Sequence, residues 1–445
     1  MRKITTEEVS FFDQYSDHPE SKKLQKISKL LDDLSLINVI AHNDFLNSNQ
    51  SKVGANGLSV ETIIRCAVLQ QMYSFSFYQL SFIIQDSASF RAFVRLPYGK
   101  NPGKSALNEN ISKISDSSWE AINLLILEKA AAEGVEKGRT VRLDSSVTQT
   151  NIHHPTDSSL LDDCVKVMTR LLVYASEFAP GDITYTNHTR VVGRLAFQIA
   201  QNPGVKESKQ LYKDLLKYAN KNFKSFVNAV DLVTKRVRFS IDSEAWLSQA
   251  NHFSQLIQNV IDQTQRRILK GESVPASEKI FSIFEEHSDI IIKGKREIVY
   301  GHKWNMVTGQ SGLVLDLVIE DGNPADSEKF LEMIDRQITI FKRPPRQIAS
   351  DGAYASIDNL NKGKKRGIKD ISFNKKRGLK IEDMVKSKWV YKKLTRFRAG
   401  IEATVSRLKR AFGLGRCPRR SLAHFKAYMW SSVVACNLVV LANLL

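Results

Sequence analysis

Residues 140–150 read TVRLDSSVTQT and form the first clear strand pattern in the chain. Val141, Leu143 and Ser145 alternate with more polar neighbours, and β-branched residues are frequent. Alternation of this kind is typical of a strand with one buried face. We therefore predict a strand here, with Asp144 in the strand or at its end.

After this strand the pattern becomes helical and then returns to strands. Residues 155–275 carry only helical periodicity, which predicts a helical insertion over 161–275. Three strands, a helix, a short strand and a basic helix follow, with predicted ranges Asp289–Val299, His302–Thr308, Leu313–Ile319, Ser327–Ile338, Gln347–Ser350 and Trp389–Phe412. A loop rich in Gly and Lys, over 362–378, is predicted between the last two. Strands and helices in this order are most simply accommodated by a mixed sheet flanked by helices, an α/β fold.

Before the strand the chain is helical. Ser59 is suited to cap a helix with one apolar face, and short helical runs continue to about residue 136. The segment EGVEKGRT (133–140) then indicates a linker. We predict an all-α N-terminal domain over 1–136, an α/β domain over 137–160 plus 276–445, and the insertion between its two parts.

The positive charge of the chain is concentrated in one segment. The 445 residues include 65 Lys and Arg and 47 Asp and Glu, a net charge of +18. Residues 361–426 hold 22 of the basic residues and four of the acidic ones, so this segment accounts for the entire excess. Solubility alone does not require such a concentration, which favours a polyanionic partner, and nucleic acid is the first candidate.

Cysteines and the termini bear on the location of the protein. The four cysteines are far apart in the sequence and form no CxxC pair, which disfavours a zinc site or a disulfide framework. The N-terminus has no apolar signal sequence. The last 16 residues, WSSVVACNLVVLANLL, are apolar but short for a bilayer span and contain Asn437 and Asn443. We expect a cytoplasmic protein with a buried C-terminal helix and no membrane partner.

Three acids stand out by their sequence context. Asp144 lies in the first strand, Asp351 follows a strand at the edge where α/β sheets bind ligands, and Glu402 lies in a strongly basic helix. Arg398 and Lys409 fall within roughly 40° of Glu402 around that helix, so the three share a face. Glu402 could simply be the i, i+4 surface partner of Arg398. Alternatively, the acids bind metal ions and the cations hold phosphates, the arrangement that phosphoryl transfer with two divalent ions needs.

The chain resembles the DDE transposases of bacterial insertion sequences in three motifs. VRLDSSVTQTNIHHPTDSSLL (141–161) and IASDGAYAS (348–356) resemble the segments with the two catalytic Asp residues, and RAGIEATVSRLKRAFGL (398–414) resembles the segment with the Glu. The family motif Tyr-x2-Arg-x3-Glu-x6-Lys is matched at its last three positions, whereas Thr395 stands where Tyr is expected. Residues 58–115 are also similar to the helical N-terminal domain of these proteins.

The resemblance implies a fold, a site and a reaction. The fold would be an RNase H-like mixed sheet with a helical N-terminal domain and a helical insertion after the first catalytic strand. Asp144, Asp351 and Glu402 would be catalytic and would hold two Mg²⁺ ions, with Mn²⁺ able to substitute. The protein would bind the terminal inverted repeats of its element, cut the DNA there and join the 3′ ends to target DNA.

The implied partners are double-stranded DNA, at transposon ends and target, and a second copy of the chain as a homodimer on that DNA in the cytoplasm, at the nucleoid. The cations expected to contact DNA are Arg398, Lys409, Lys364, Lys365, Arg366, Lys375, Lys376, Arg377, Lys392 and Lys393. Trp389 is a candidate for stacking on a base, and Asp326 is expected to cap a helix. Two alternatives remain open: a metal-dependent DNA endonuclease without strand transfer, and a domesticated DNA-binding protein without catalysis.

Overall fold

The computed structural model describes residues 4, 15–46, 57–97, 99–201, 205–236, 240–275, 278–293, 297–374 and 378–445. The chain forms two compact units. The first consists of Met1–Asn151 with Asp289–Leu445 and contains the sheet and the N-terminal helices. The second, Ile152–Ser288, is the helical insertion.

The first unit is built on a mixed sheet of six described strands: β1 (Thr140–Gln149), β2 (Asp289–Lys293), β3 (Glu297–Thr308), β4 (Val314–Ile319), β5 (Gln347–Ser350) and β6 (Asp370–Phe373). β1 is central, antiparallel to β3 on one side and parallel to β5 on the other. β6 extends the parallel half, while β2 and β4 pair with different parts of β3. This arrangement confirms the predicted RNase H-like mixed sheet.

The end of β5 creates an edge within the sheet. The pairing of β1 with β5 stops at Leu143 and Ser350, whereas the pairing of β1 with β3 continues to Gln149. From Asp144 to Thr148, β1 therefore has a strand neighbour on only one side, and Gln149 then pairs with Arg416. Asp351 is the first residue after β5, so the chain order itself brings it to this edge beside Asp144.

Helices cover both faces of the sheet: α12 (Asp326–Phe341), α13 (Ile357–Lys365), α14 (Ile381–Met384), α15 (Lys388–Ala411) and α16 (Leu422–Leu444). α12 packs on β3 and β4, and α15 packs on β1, β5 and β6. Ser387 caps α15 by accepting a hydrogen bond from the Val390 amide. The predicted basic helix at Trp389–Phe412 is thus confirmed.

Two sequence predictions about this unit were wrong. The run Asp289–Val299 was predicted as one strand, but β2 ends at Lys293 and pairs in antiparallel register with β3, which already begins at Glu297. The Gly- and Lys-rich segment 362–378 was predicted as a loop, but it includes the end of α13 and all of β6. Buried Ile371 and Phe373 explain β6, because a lysine-rich composition can conceal a short apolar strand.

The N-terminal region is helical, as predicted, and contains α1 (Pro19–Asp33), α2 (Leu36–Leu46), α3 (Val60–Tyr73), α4 (Phe77–Asp86), α5 (Ala88–Val94), α6 (Lys104–Ser112) and α7 (Asp116–Ala132). Buried Arg65 of α3 ties this region together through Asp32 (2.6 Å), Glu61 (3.2 Å) and the Phe93 carbonyl (3.1 Å). These helices share one hydrophobic core with the sheet. The division of the chain into three domains stays a prediction.

The insertion contains α8 (Asp157–Phe178), α9 (Thr189–Gln201), α10 (Val205–Arg236) and α11 (Ile241–Thr264). They enclose a separate hydrophobic core. Thr156 caps α8, and Asp157 in the first turn pairs with Arg267 at 2.8 Å. The helical insertion after the first strand is therefore confirmed.

The C-terminal helix α16 is long and apolar enough to cross a membrane, yet most of it is buried inside the protein against α1, α3 and α7. Its fully buried Asn437 joins three elements. The Asn437 amide nitrogen donates to Asn123 of α7 and to the Val314 carbonyl of β4, both at 2.7 Å. The Asn437 carbonyl oxygen accepts a hydrogen bond from the Val314 amide at 2.8 Å.

We expect Asn437→Leu to lower the free energy of unfolding by about 2–4 kcal/mol, because it removes the hydrogen bonds of Asn437 to the buried Val314 amide and carbonyl and to Asn123. Urea denaturation followed by circular dichroism measures this change. Asn443→Leu, an exposed position on the same helix, is the matched control and should change stability by less than about 0.5 kcal/mol. Equal effects of the two substitutions would contradict the assigned role of Asn437.

Candidate active site

Three different elements place the three acids at the edge where β5 ends. Asp144 lies in the middle of β1, opposite Met306 of β3. Asp351 directly follows β5, and Glu402 lies in the central part of α15. The acids come from separate parts of the chain, and their proximity depends on how α15 packs across β1 and β5.

The guanidinium group of Arg398 contacts all three acids. Its Nη1 donates to Oε1 of Glu402 at 2.9 Å, and its Nη2 donates to Oδ2 of Asp144 at 3.2 Å. The same Nη2 lies 3.9 Å from Oδ1 of Asp351. Only 13% of the Arg398 side chain is exposed. One buried cation therefore holds together the three carboxylates that the sequence singled out.

A close approach of α15 to β1 makes this contact possible. Arg142, two residues before Asp144 on the same face of β1, donates from Nη1 to the Phe397 carbonyl at 2.8 Å. A Cβ atom on Gly400 would lie 2.2 Å from that same Nη1. Because Gly400 lacks a side chain, Arg142 can reach the helix backbone beside Arg398.

The acids differ in their exposure. Asp144 is 16% exposed, whereas Glu402 is 67% exposed. Burial raises the pKa of Asp144 to about 6, although Arg398 and the Ser145 amide oppose the shift, and the nearby negative charges of Asp351 and Asp326 add to it. Even with Arg398 beside it, the Asp144 carboxyl therefore ionises less readily than a solvated Asp.

The surface-pair interpretation of Glu402 explains only part of the arrangement. Glu402 and Arg398 do form an i, i+4 ion pair on α15. Arg398, however, is buried and simultaneously contacts two Asp residues on the sheet. An exposed helical pair contributes little to stability and has no need of such neighbours.

The donor atoms at the site suit a hard divalent cation. Carboxylate oxygens are the ligands that Mg²⁺ prefers, and three carboxylates leave positions for water and substrate. Within the described part of the chain, no three His, Cys, Asp or Glu side chains gather closely enough to hold a metal ion as they stand. Arg398 supplies the positive charge among these acids instead. Its buried Nε has no hydrogen-bond partner among the described residues.

A fourth carboxylate, that of Asp326, lies next to the site. Asp326 was predicted to cap α12, but it is the first residue of that helix, the N-cap is Ala325, and no side-chain capping bond is formed. Instead, Asp326 pairs with Lys303 at 2.7 Å and accepts a hydrogen bond from Ser145 at 3.1 Å. An Asp at a helix start usually indicates a cap, so the sequence carried no signal for these contacts.

The cations predicted to contact DNA differ in their exposure and in their partners within the protein. Among the described ones, Lys365, Lys392 and Lys393 are exposed, and Lys409 is half-buried on α15. Lys364 donates to the Lys369 carbonyl. Arg366 forms a two-point ion pair with Asp335 at 2.6 and 2.8 Å. Lys375, Lys376 and Arg377 lie outside the described residues.

Two positions on α15 were singled out in the sequence: Trp389 as a base-stacking candidate, and Thr395 where the family motif has Tyr. Trp389 is 69% exposed, with the Lys393 ammonium 5.5 Å from its ring. Thr395, at the expected Tyr position, donates to the Tyr391 carbonyl one turn earlier. The Tyr391 hydroxyl donates to the Phe373 carbonyl at 3.0 Å, which links α15 to the end of β6.

The electrostatics of Asp144 predict a dependence of stability on pH. Its pKa of about 6 in the folded protein lies above its ordinary value of 3.8. The folded state therefore binds the Asp144 proton more tightly, and stability is lost as pH rises from about 4 through 6. We expect Asp144→Asn to be more stable than the parent by about 3 kcal/mol at pH 8.

The gain should shrink below pH 6 and vanish near pH 4, as measured by urea unfolding in EDTA without DNA. Asp358→Asn, at an exposed acid of α13 paired with Lys362, serves as the control. Equal stability of the two Asn variants at pH 8 would contradict the assigned burial of Asp144.

Both chain segments that form the first unit match known protein families. Residues 286–438, with Asp351 and Glu402, match the family described as the transposase DDE domain. Residues 12–113 match the family described as a transposase domain (DUF772). No curated protein and no solved structure matches the chain. Two separate transposase matches that together span more than half of the 445 residues show that the chain belongs to the DDE transposases of insertion sequences.

Proposed function

We propose that the protein binds the terminal inverted repeats of its insertion sequence, cuts the DNA at those ends and transfers the freed 3′ ends to target DNA. The observation that carries this proposal is the contact of Arg398 with Asp144, Asp351 and Glu402. Cleavage and transfer are both in-line displacements at phosphorus, first by water and then by a DNA hydroxyl. One site that brings three acids together can serve both steps.

Asp144, Asp351 and Glu402 are the groups that would hold two Mg²⁺ ions, or Mn²⁺ in their place. When bound, such ions activate the attacking oxygen and stabilise the leaving oxygen. The protein contributes a fixed pair of acids on neighbouring strands and an exposed acid on α15. Burial of Asp144 favours a strong interaction with a cation, because the carboxylate is poorly solvated there.

Arg398 has a second task in this proposal. A DNA phosphate offers its guanidinium a better-placed anion, and the buried Nε supplies a further donor. As Arg398 turns to the phosphate, the three carboxylates lose their present counter-charge and become available to metal ions. Lys409, on the same face of α15, would hold a neighbouring phosphate.

The remaining contacts with DNA would come from the basic segment around α13 and α15. Exposed Lys365, Lys392 and Lys393 are the best placed of the described cations, with Trp389 as a stacking group. Lys364 and Arg366 would contact DNA only after leaving Lys369 and Asp335. We propose a homodimer acting on paired DNA ends in the cytoplasm, at the nucleoid.

The acids can be tested by isosteric substitution. We expect Asp144→Asn, Asp351→Asn and Glu402→Gln each to slow cleavage of a labelled transposon-end duplex about a thousandfold, because each removes several kcal/mol of transition-state stabilisation. DNA binding should persist. The end sequences can be read from DNA flanking the gene, and a Mg²⁺ or Mn²⁺ assay resolves cleaved and joined products on a gel.

Asp358→Asn is again the matched control and should leave cleavage unchanged. Normal cleavage by any of the three variants would contradict the assignment of that acid. Cutting without joining would establish an endonuclease, and tight binding with neither activity would establish a DNA-binding protein without catalysis.

The double role of Arg398 yields a separate prediction. Arg398→Gln should weaken binding to the DNA end and, without DNA, strengthen Mn²⁺ binding about tenfold, since a unit charge at such distances is worth about 1–4 kcal/mol. Mn²⁺ binding is read from the electron paramagnetic resonance signal of the free ion.

Arg407→Gln removes the same charge from an exposed position of α15 and should not strengthen Mn²⁺ binding. If both variants bind Mn²⁺ as tightly as the parent, Arg398 does not compete with the metal ion for the carboxylates, and the prediction is wrong.

A further inference from the structure

The polar face of the sheet beneath the three acids contains a buried ion pair that the reaction chemistry does not explain. Lys303 of β3 and Asp326 of α12 pair at 2.7 Å, with 11% and 14% of their side chains exposed. The Lys303 ammonium also donates to the Pro324 carbonyl at 2.6 Å. A buried pair of this kind gives little net stability compared with apolar packing, so its location requires another reason.

The ion pair contacts Ser145, the residue that follows Asp144. Side chains alternate along a strand, so Asp144 faces α15, where it meets Arg398, and Ser145 faces α12. The Ser145 hydroxyl donates to Oδ2 of Asp326 at 3.1 Å, and the Ser145 amide donates to Oδ1 of Asp144 at 2.9 Å. Ser145 thus connects the ion pair to the catalytic acid through two hydrogen bonds.

The sheet needs an anchor at this point. Strand β5 stops pairing with β1 at Leu143, and the next backbone pairing on that side is at Gln149, with Gly415 and Cys417. Between these two points Asp144 and Ser145 have a strand neighbour only in β3, so side-chain contacts with the flanking helices help to fix their position. The bond from Ser145 to Asp326 connects the same segment to α12 on the opposite face.

Further hydrogen bonds connect other side chains on the same face. Asn305, the register partner of Ser145, accepts a hydrogen bond from Tyr354 and donates to Glu320 at 2.7 Å. Tyr354 lies three residues after Asp351, so this layer also reaches the turn that carries the second acid. The face thus carries a connected set of polar side chains, and hydrogen-bonded networks of this kind help to specify one arrangement of the elements that they join.

We propose that Asp326, held by Lys303, is a positioning residue for the catalytic site: it fixes Ser145 and thereby the segment of β1 that carries Asp144. This inference rests on the proposed function for its catalytic consequence, but the fixing of β1 can be measured independently. Asp326 itself makes no contact with DNA in this proposal.

A second ion pair on the same helix provides the control. Arg336 of α12 pairs with buried Asp316 of β4 at 2.7 Å, and Arg336 also pairs with Glu120. No contact joins Asp316 to Asp144 or Ser145 in the described residues, although Asp316→Asn, like Asp326→Asn, disrupts an ion pair between α12 and the sheet in which the Asp is largely buried. A purely structural role would make the two variants alike.

Hydrogen exchange of the full-length protein, read by mass spectrometry, tests the anchor. Asp326→Asn and Ser145→Ala should each speed exchange in peptides covering 144–149 several-fold, whereas Asp316→Asn should not. If Asp326→Asn leaves these peptides unchanged, or changes them no more than Asp316→Asn does, the proposal is overturned. This readout needs neither DNA nor metal, so it remains decisive if the parent proves unable to cut DNA.

Cleavage kinetics test the consequence. Asp326→Asn and Ser145→Ala should lower kcat about ten- to a hundredfold, the effect of a small misplacement of a reacting group, with KM for the DNA end nearly unchanged. The double variant should be no worse than Asp326→Asn, because both changes break one connection. Full additivity, or an equal loss of kcat in Asp316→Asn, would overturn the proposal.

Discussion

The structure depends on a single buried guanidinium group at the junction of a sheet and a helix. Arg398 contacts three carboxylates whose residues come from β1, the end of β5 and α15. Asp144 is poorly solvated and has other negative charges nearby, and the central cation offsets part of their repulsion. In the proposed function, the acids stay paired with Arg398 until a DNA phosphate attracts its guanidinium group away.

The geometry of the sheet explains why this junction lies where it does. β5 is shorter than β1, so its end leaves an edge at Asp144 and delivers Asp351 to it. Gly400 and Arg142 let α15 approach the strand closely enough for Arg398 to reach both Asp residues. On the opposite face, Ser145 and Asp326 support the same segment of β1. Two helices therefore clamp one strand at the point where its neighbour stops.

Much of the fold could be predicted from the sequence, because its strands alternate clearly and its helices carry apolar faces. β1, the helical N-terminal region, the insertion and α15 were all visible as patterns. β6 was missed since its apolar residues are embedded in a lysine-rich segment. The run Asp289–Val299 was predicted as one strand because a continuous apolar pattern does not show where one strand ends and the next begins.

The candidate site, too, could be predicted only in part from the sequence. The three acids and Arg398 were identified from motifs, and the transposase family is confirmed by the matches to its DDE and N-terminal domains. The contacts of Arg398 with Asp144 and Asp351 join residues that are distant in sequence, so no local pattern could reveal them. Asp326 was misread because an acid at a helix start usually serves the helix itself.

Anomalous scattering from crystals of the protein bound to its transposon-end DNA and soaked in Mn²⁺ locates the metal ions directly. We expect Mn²⁺ peaks among the carboxylates of Asp144, Asp351 and Glu402, with Arg398 moved onto a DNA phosphate. Peaks confined to other residues, with Arg398 still among the three acids, would contradict this expectation.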